Sequence, residues 1–231
     1  MILAAQQPCY LPATDFFYKM SLSDVFVLAD DVRFTTNADI NRAKIKTAQG
    51  ECWLTVPVFT KRRGGQFIHQ VEIDNLQNWR DKHWKTLRTT YAYAAYFDLY
   101  ADFFEEMFHS KESPITLIEL NLVLIDYLRI ALNLNATVVR SSALNVCSTG
   151  ADWIFEIADA MGADTYLANA TFSKYLSKKV FAERGLHLNF VEMPAVSYYQ
   201  QFGDFIPGMS IVDLLFNEGE RSREILLGKV P

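Results

Sequence analysis

Two short apolar runs, residues 2–5 and 25–29, bracket a segment dense in core-type side chains: Phe16, Phe17, Tyr18 and Met20. This spacing constrains the fold more than anything else in the chain. Residues 15–21 predict a buried helix, and Pro12 stands just before its first turn, where a missing amide hydrogen costs nothing. Strand, loop, helix, strand is a βαβ unit, and its crossover implies a parallel pair. The final third alternates in the same way. Strands are expected at 136–140, 165–168 and 186–191. Helices are expected from a Ser148 or Thr149 cap to Met161, over 172–183 with Gly185 closing it, and from Ser210 onward.

The middle of the chain reads differently. Residues 42–46 and 53–58 flank Ala48-Gln49-Gly50, a turn signal between alternating segments, which predicts a β-hairpin. Residues 61–65 form a polar, glycine-rich loop, and 68–73 read as a further strand. From Leu76 to Leu134 the pattern is helical, with Trp79, His83 or Trp84, Leu87 and Tyr91 at three-to-four spacing. Pro114 is expected to start the last of these helices. The fold class that follows is α/β: a mostly parallel, Rossmann-like sheet of about five strands. A β-hairpin and a helical block, residues 40–134, are inserted after the second strand, and residues 1–231 form a single domain.

Composition narrows the function classes. Half of the 231 residues are hydrophobic, including 17 Phe and 11 Tyr, so disorder is excluded by the apolar surface available for burial. A net charge of −5 argues against nucleic acid as a partner, since phosphate backbones need a clustered basic surface. Cys9, Cys52 and Cys147 are odd in number and widely spaced. They fit neither a disulfide framework nor a metal-binding CxxC pair, which points to a reducing compartment and to no metal. There is no basic start followed by a long apolar stretch, and no run approaches the roughly 20 apolar residues that span a bilayer. The expectation is a cytoplasmic protein with no membrane span.

Open parallel sheets bind ligands beyond the carboxyl ends of their strands. Polar side chains gather on that expected edge: Gln6, Gln7 and Tyr10 after the first strand, and Asp30, Asp31 and Arg33 after the second. Arg140, Ser141 and Ser142 follow the 136–140 strand; Asn169, Thr171 and Lys174 follow the 165–168 strand. The loop from Gln7 to Pro12 is stiffened by two prolines. It reads either as a rigid connector that buries Tyr10 or as a preformed ligand wall offering Gln7 and the Tyr10 hydroxyl. Asp30-Asp31 can cap a turn or place one carboxylate at a site, to accept a proton. Arg42, Lys44 and Lys46 share one face of a strand, suited either to phosphate or to a solvated surface. His83 lies on an apolar stripe, as a hydrogen-bonded core residue or, if it opens to a cleft, as a general base. The nucleotide-fold and hydrolase fingerprints GxGxxG, GxxxxGK[ST], GxSxG and HExxH do not occur.

The loop Gln7-Pro8-Cys9-Tyr10-Leu11-Pro12 with Phe16-Phe17-Tyr18-Lys19-Met20 resembles the WbqC-like family. So do Asp30-Asp31-Val32-Arg33-Phe34, Asn41-Arg42, Trp53-Leu54-Thr55-Val56-Pro57-Val58, and Asn78-Trp79-Arg80 with Lys82-His83-Trp84-Lys85. Arg140-Ser141-Ser142, Gly162-Ala163-Asp164-Thr165-Tyr166-Leu167 and Ser210-Ile211-Val212-Asp213 continue the match to the last helix. The resemblance implies a transferase of bacterial O-antigen or other surface-polysaccharide synthesis, moving a glycyl or aminoacyl group to an amino-sugar nucleotide. The partner is then a small-molecule substrate such as a nucleotide sugar, and the acyl donor and any cofactor stay unknown. In that frame Gln7 and Tyr10 orient the acceptor, with Arg42, Lys46, Arg140, Ser141, Ser142, Asn169 and Lys174 as substrate-binding residues. His83 or Asp31 takes the amine proton. The chain departs from the family pattern at Gln6, which replaces a histidine, at Ala13, at Ala143 and over residues 168–172. These departures point to a different substrate, or to a catalytically inactive binding or scaffold protein.

Overall fold

The computed structural model describes residues 1–36, 38–110 and 114–229. Five parallel strands form the central sheet: β1 (Ile2–Gln6), β2 (Val25–Leu28), β5 (Thr137–Arg140), β6 (Thr165–Asn169) and β7 (His187–Val191), in the order β5-β2-β1-β6-β7. Leu3 pairs with Val25 and Gln6 with Leu28, so β1 and β2 end level. The expected α/β sheet is what the chain forms. Successive residues of a strand point to opposite faces, and both faces here are buried. Ala4, Phe26 and Leu28 pack against α1 (Thr14–Ser21) and the helical block. Leu3, Ala5, Val25 and Val27 pack against α5 (Ala151–Met161) and α6 (Lys178–Glu183).

Between β2 and β5 the chain builds a separate antiparallel hairpin, β3 (Arg42–Thr47) with β4 (Gly50–Thr55), then α2 (Trp79–Tyr91), α3 (Phe97–His109) and α4 (Leu117–Ala131). Gly50, at φ +100, closes a turn tighter than the one expected, and β4 begins there rather than at Trp53. A final helix pair, α7 (Ile211–Glu218) and α8 (Ser222–Leu226), returns to the same core. No helix among the described residues is long and apolar enough to cross a membrane.

Four local expectations are corrected. Residues 68–73 are not a strand. Ile68–Gln70 is a single 3-10 turn, and the apolar Ile68, Val71 and Ile73 are buried in one core while their amides donate to Val32, Ile68 and Ile115 instead of along one ladder. Helix α4 starts at Leu117, because the Thr116 hydroxyl and the Glu119 side chain form a reciprocal cap beyond Pro114. Neither Ser148 nor Thr149 caps α5. Gly150, at φ +65, occupies that position, and the Ser148 hydroxyl donates to Glu156. Residues 172–183 split into a 3-10 turn (Ala170–Lys174) and α6, since Phe172 and Tyr175 are exposed and give the first half no apolar stripe to bury.

Candidate functional site

The connection β1–α1–β2 leaves β1 to one side, and β6 lies against its other side. In open α/β sheets that divergence makes a crevice at the strands' carboxyl ends. A cavity of about 1390 Å³ opens there. It exceeds the roughly 300–1,000 Å³ of ordinary small-molecule sites, leaving room for a ligand in two parts. Its floor is Ala5, Gln6 and Gln7 at the end of β1, with Lys19 reaching in from α1. One wall is Asp31, Val32 and Arg33 with Phe67 and His69. A second runs from Cys147 to Trp153 at the start of α5, and a third carries Asn169, Phe172 and Tyr175.

The wall carrying His69 is held by Asp30. The Asp30 side chain is fully buried. It accepts from Arg140 Nε at 2.7 Å, from the Ser142 amide at 2.9 Å and from the Ser142 hydroxyl at 2.8 Å, and Ser141 Oγ lies at 3.2 Å. Burial alone would raise its pKa, but the Ser142 amide, the Arg140 guanidinium and the Ser142 hydroxyl outweigh it and hold the carboxyl below its usual range. The Asp30 carbonyl in turn accepts from the His69 amide at 3.0 Å and faces His69 Nδ1 at 2.9 Å. A carbonyl only accepts, so Nδ1 carries the proton and Nε2 keeps its lone pair. The ring stacks on Phe67 at 5.7 Å with planes 4° apart, and the Arg33 guanidinium covers Phe67 at 4.5 Å. Gly65 makes this possible: a Cβ there would meet Arg33 Nη1 at 2.9 Å, and its φ of +76 suits glycine.

Asp31 faces the cavity. It accepts from Ser141 Oγ at 2.6 Å and from Trp153 Nε1 at 3.2 Å, which ties the β2 and α5 walls together. Of the residues expected on the binding edge, Gln6, Gln7, Asp31, Arg33 and Asn169 line this cavity. Arg140, Ser141 and Ser142 sit behind it and hold the two aspartates. The remaining candidates are placed elsewhere. Tyr10 and His83 are core residues, with the Tyr10 hydroxyl 2.9 Å from His83 Nδ1. Burial, only partly opposed by a hydrogen bond to the Thr55 main chain, pushes the His83 pKa down to about 4. Lys46 is buried and donates to the Gly203 and Asp204 carbonyls. Arg42 and Lys44 both lie over the Trp53 ring, and Lys174 is exposed at the end of its 3-10 turn.

His69, Lys19 and Trp153 were not singled out from the sequence. His69 lies in a segment whose apolar spacing imitates a strand, so no signal marked it. Lys19 did leave one: a lysine set among Phe16, Phe17 and Met20 on a helix whose other face is polar. Cys9 also lines the cavity, but burial, helped by the charges of Asp39 and Asp15, pushes its thiol up to about 12. It is no nucleophile near neutral pH. Among the described residues no group of three or more His, Cys, Asp or Glu side chains is placed to hold a metal ion.

The WbqC-like family profile matches residues 7–225, which takes in every wall of the cavity. The chain belongs to the WbqC-like protein family. Within reach of this member is Uncharacterized protein Rv1507c of Mycobacterium tuberculosis, 29% identical over 225 residues, covering 97% of this chain and 96% of that protein. No solved structure gives a significant match. WbqC-like membership therefore rests on four of the five sheet strands, the hairpin and the helical block, and not on the Gln7–Pro12 loop alone.

Proposed function

We propose that this WbqC-like protein is an acyl transferase of surface-polysaccharide synthesis, acting on a nucleotide-linked amino sugar bound in the cavity at the end of β1. The observation that carries the reading is His69: its tautomer is fixed by Asp30, and its lone pair belongs to a ring that lines a cavity large enough for two substrates. In the transfer, the sugar amine attacks the carbonyl carbon of a glycyl or aminoacyl donor. A C–N bond forms, the bond to the donor's leaving group breaks, and the amine proton passes to His69 Nε2. Asp31, held by Ser141 and Trp153, offers a carboxylate to the incoming ammonium or to a sugar hydroxyl.

Gln6 favours a second reading, a binding protein without turnover. It stands where the family pattern has a histidine, and its Oε1 is buried with no hydrogen-bond partner, awaiting a donor from a ligand. One experiment separates the readings: thermal stabilisation by a panel of nucleotide amino sugars, followed by mass spectrometry of the mixture with activated glycine. Binding at 100 times Kd adds about 2.7 kcal/mol. An acylated sugar whose formation falls at least 100-fold in His69→Gln supports the transferase. Stabilisation without product supports the binding protein, and no stabilisation by any of the panel sinks both.

A further inference from the structure

Lys19 is buried to 4% exposure and lines the cavity floor. Its ammonium has three donors, and the hydrogen bond that holds it is to the Ala5 carbonyl at 2.9 Å. No carboxylate lies within 4.0 Å of it among the described residues. A buried cation without a partner anion is costly, because desolvation is not offset by a nearby opposite charge. Asp15, one turn earlier on α1, acts on it only at longer range, and the other titratable or charged groups lining this cavity are Asp31, Asp39, Arg33 and His69 with Cys9, Cys147, Tyr166 and Tyr175. Burial, weakly opposed by Asp15, pulls the Lys19 pKa down to about 8. Both Lys19 and Ala5, whose carbonyl it holds, line the cavity, so the ammonium stands where a ligand can reach it.

We propose that Lys19 is the anchor for a phosphate or diphosphate group of the ligand, seated at the carboxyl end of β1. This deepens the nucleotide-sugar reading given above and rests on it for the remainder of the ligand. The anion supplies the missing counter-charge and takes the ammonium's unused N–H donors, as charge-assisted hydrogen bonds. Arg33, on the adjoining wall and stacked on Phe67, provides a second cation for the same or the next phosphate. The sugar is then held with its diphosphate toward β1 and its amine toward His69 and Asp31.

The test uses the full chain, with inorganic pyrophosphate and uridine diphosphate as probes, and Lys19→Met as the variant. Removing a buried charge should leave the melting temperature unchanged or higher, so loss of binding is not loss of fold. Calorimetry of the wild type should show binding of both probes, with affinity falling roughly 10- to 100-fold in Lys19→Met. At pH 9, where uridine diphosphate is fully ionised, its titrations in two buffers of different ionisation enthalpy should show uptake of roughly one proton per site in the wild type and none in the variant. If a nucleotide sugar binds Lys19→Met as tightly as wild type, the anchor is overturned while the cavity stands. If pyrophosphate binds through Lys19 but no nucleotide sugar binds at all, the functional reading fails and the anchor survives. Failure of both probes to bind the wild type overturns the anchor outright.

Discussion

His69 and His83 are set in opposite tautomers by what lies against their Nδ1 atoms. His69 Nδ1 faces the Asp30 carbonyl at 2.9 Å and must donate. His83 Nδ1 faces the Tyr10 hydroxyl at the same distance, and its ring is also hydrogen-bonded to the Thr55 main chain, so Nδ1 accepts and Nε2 donates. Long-range nitrogen–proton correlation spectra should therefore give the Nδ1–H form for His69 and the Nε2–H form for His83. An Nε2–H form at His69 would refute its assignment as the base, and an Nδ1–H form at His83 would refute the reading of its contact with Tyr10.

His83 also sets a pH dependence of stability. Its folded pKa, about 4, lies below the 6.5 of an exposed imidazole, so between these values the unfolded chain binds the extra proton. The contribution is fully present above pH 6.5, is lost as pH falls from 6.5 toward 4, and amounts to about 3 kcal/mol. Urea denaturation across that interval should show the decline, and His83→Phe should flatten it. Tyr10→Phe should cost about 1–3 kcal/mol by leaving the imidazole lone pair buried without a donor.

Asp30→Ala is expected to be among the most damaging changes near the cavity. It leaves the Ser142 hydroxyl and amide without their acceptor, while the half-exposed Arg140 turns to solvent, for a loss of about 1–3 kcal/mol. Because its folded pKa is lowered, the stabilisation it gives is present above the unfolded carboxylate range and disappears as pH drops below that, a more acidic interval than that of His83. Chemical denaturation of the variant at pH 7 and pH 3 checks both points; equal losses at the two pH values would contradict them.

The cysteines should divide by reactivity. Cys147 is exposed at the cavity rim, whereas burial pushes the Cys9 thiol up to about 12 and its Sγ–H donates to the Gln7 carbonyl. Iodoacetamide at pH 8 should alkylate Cys147 at least 100-fold faster than Cys9, as read by peptide mass spectrometry. Comparable rates would mean that the Gln7–Pro12 loop is open in solution.

Much of the fold could be read from the residues because the parallel strands and helices obey periodicity. Residues 2–5 and 25–29 are short apolar runs, and α2 to α4 carry clear three-to-four stripes. What was misread lies where burial and hydrogen bonding depart from a regular ladder. Ile68, Val71 and Ile73 form an apolar run dense enough for a strand and enter one core, but their amides donate to Val32, Ile68 and Ile115 and so make no ladder. The site was legible as an edge and less so as a list. Asp31, Gln7 and Asn169 follow strands and line the cavity. Tyr10 and Lys46 have equally polar groups, yet their partners are His83 and the 203–204 carbonyls, which no local pattern encodes. His69 reached the cavity through a segment some 40 residues past β2, a placement that only the tertiary path decides.

The walls of the cavity come from stretches as distant in sequence as Gln6 and Tyr175, and the three cysteines are free. The chain thus has no covalent tie between the regions that meet there. A ligand filling the cavity acts as a reversible cross-link: it can bind only when β1, the 67–69 turn, the start of α5 and the β6 loop have all closed. Occupancy should then slow unfolding of the whole chain, and partial proteolysis should be suppressed at sites far from any atom the ligand touches.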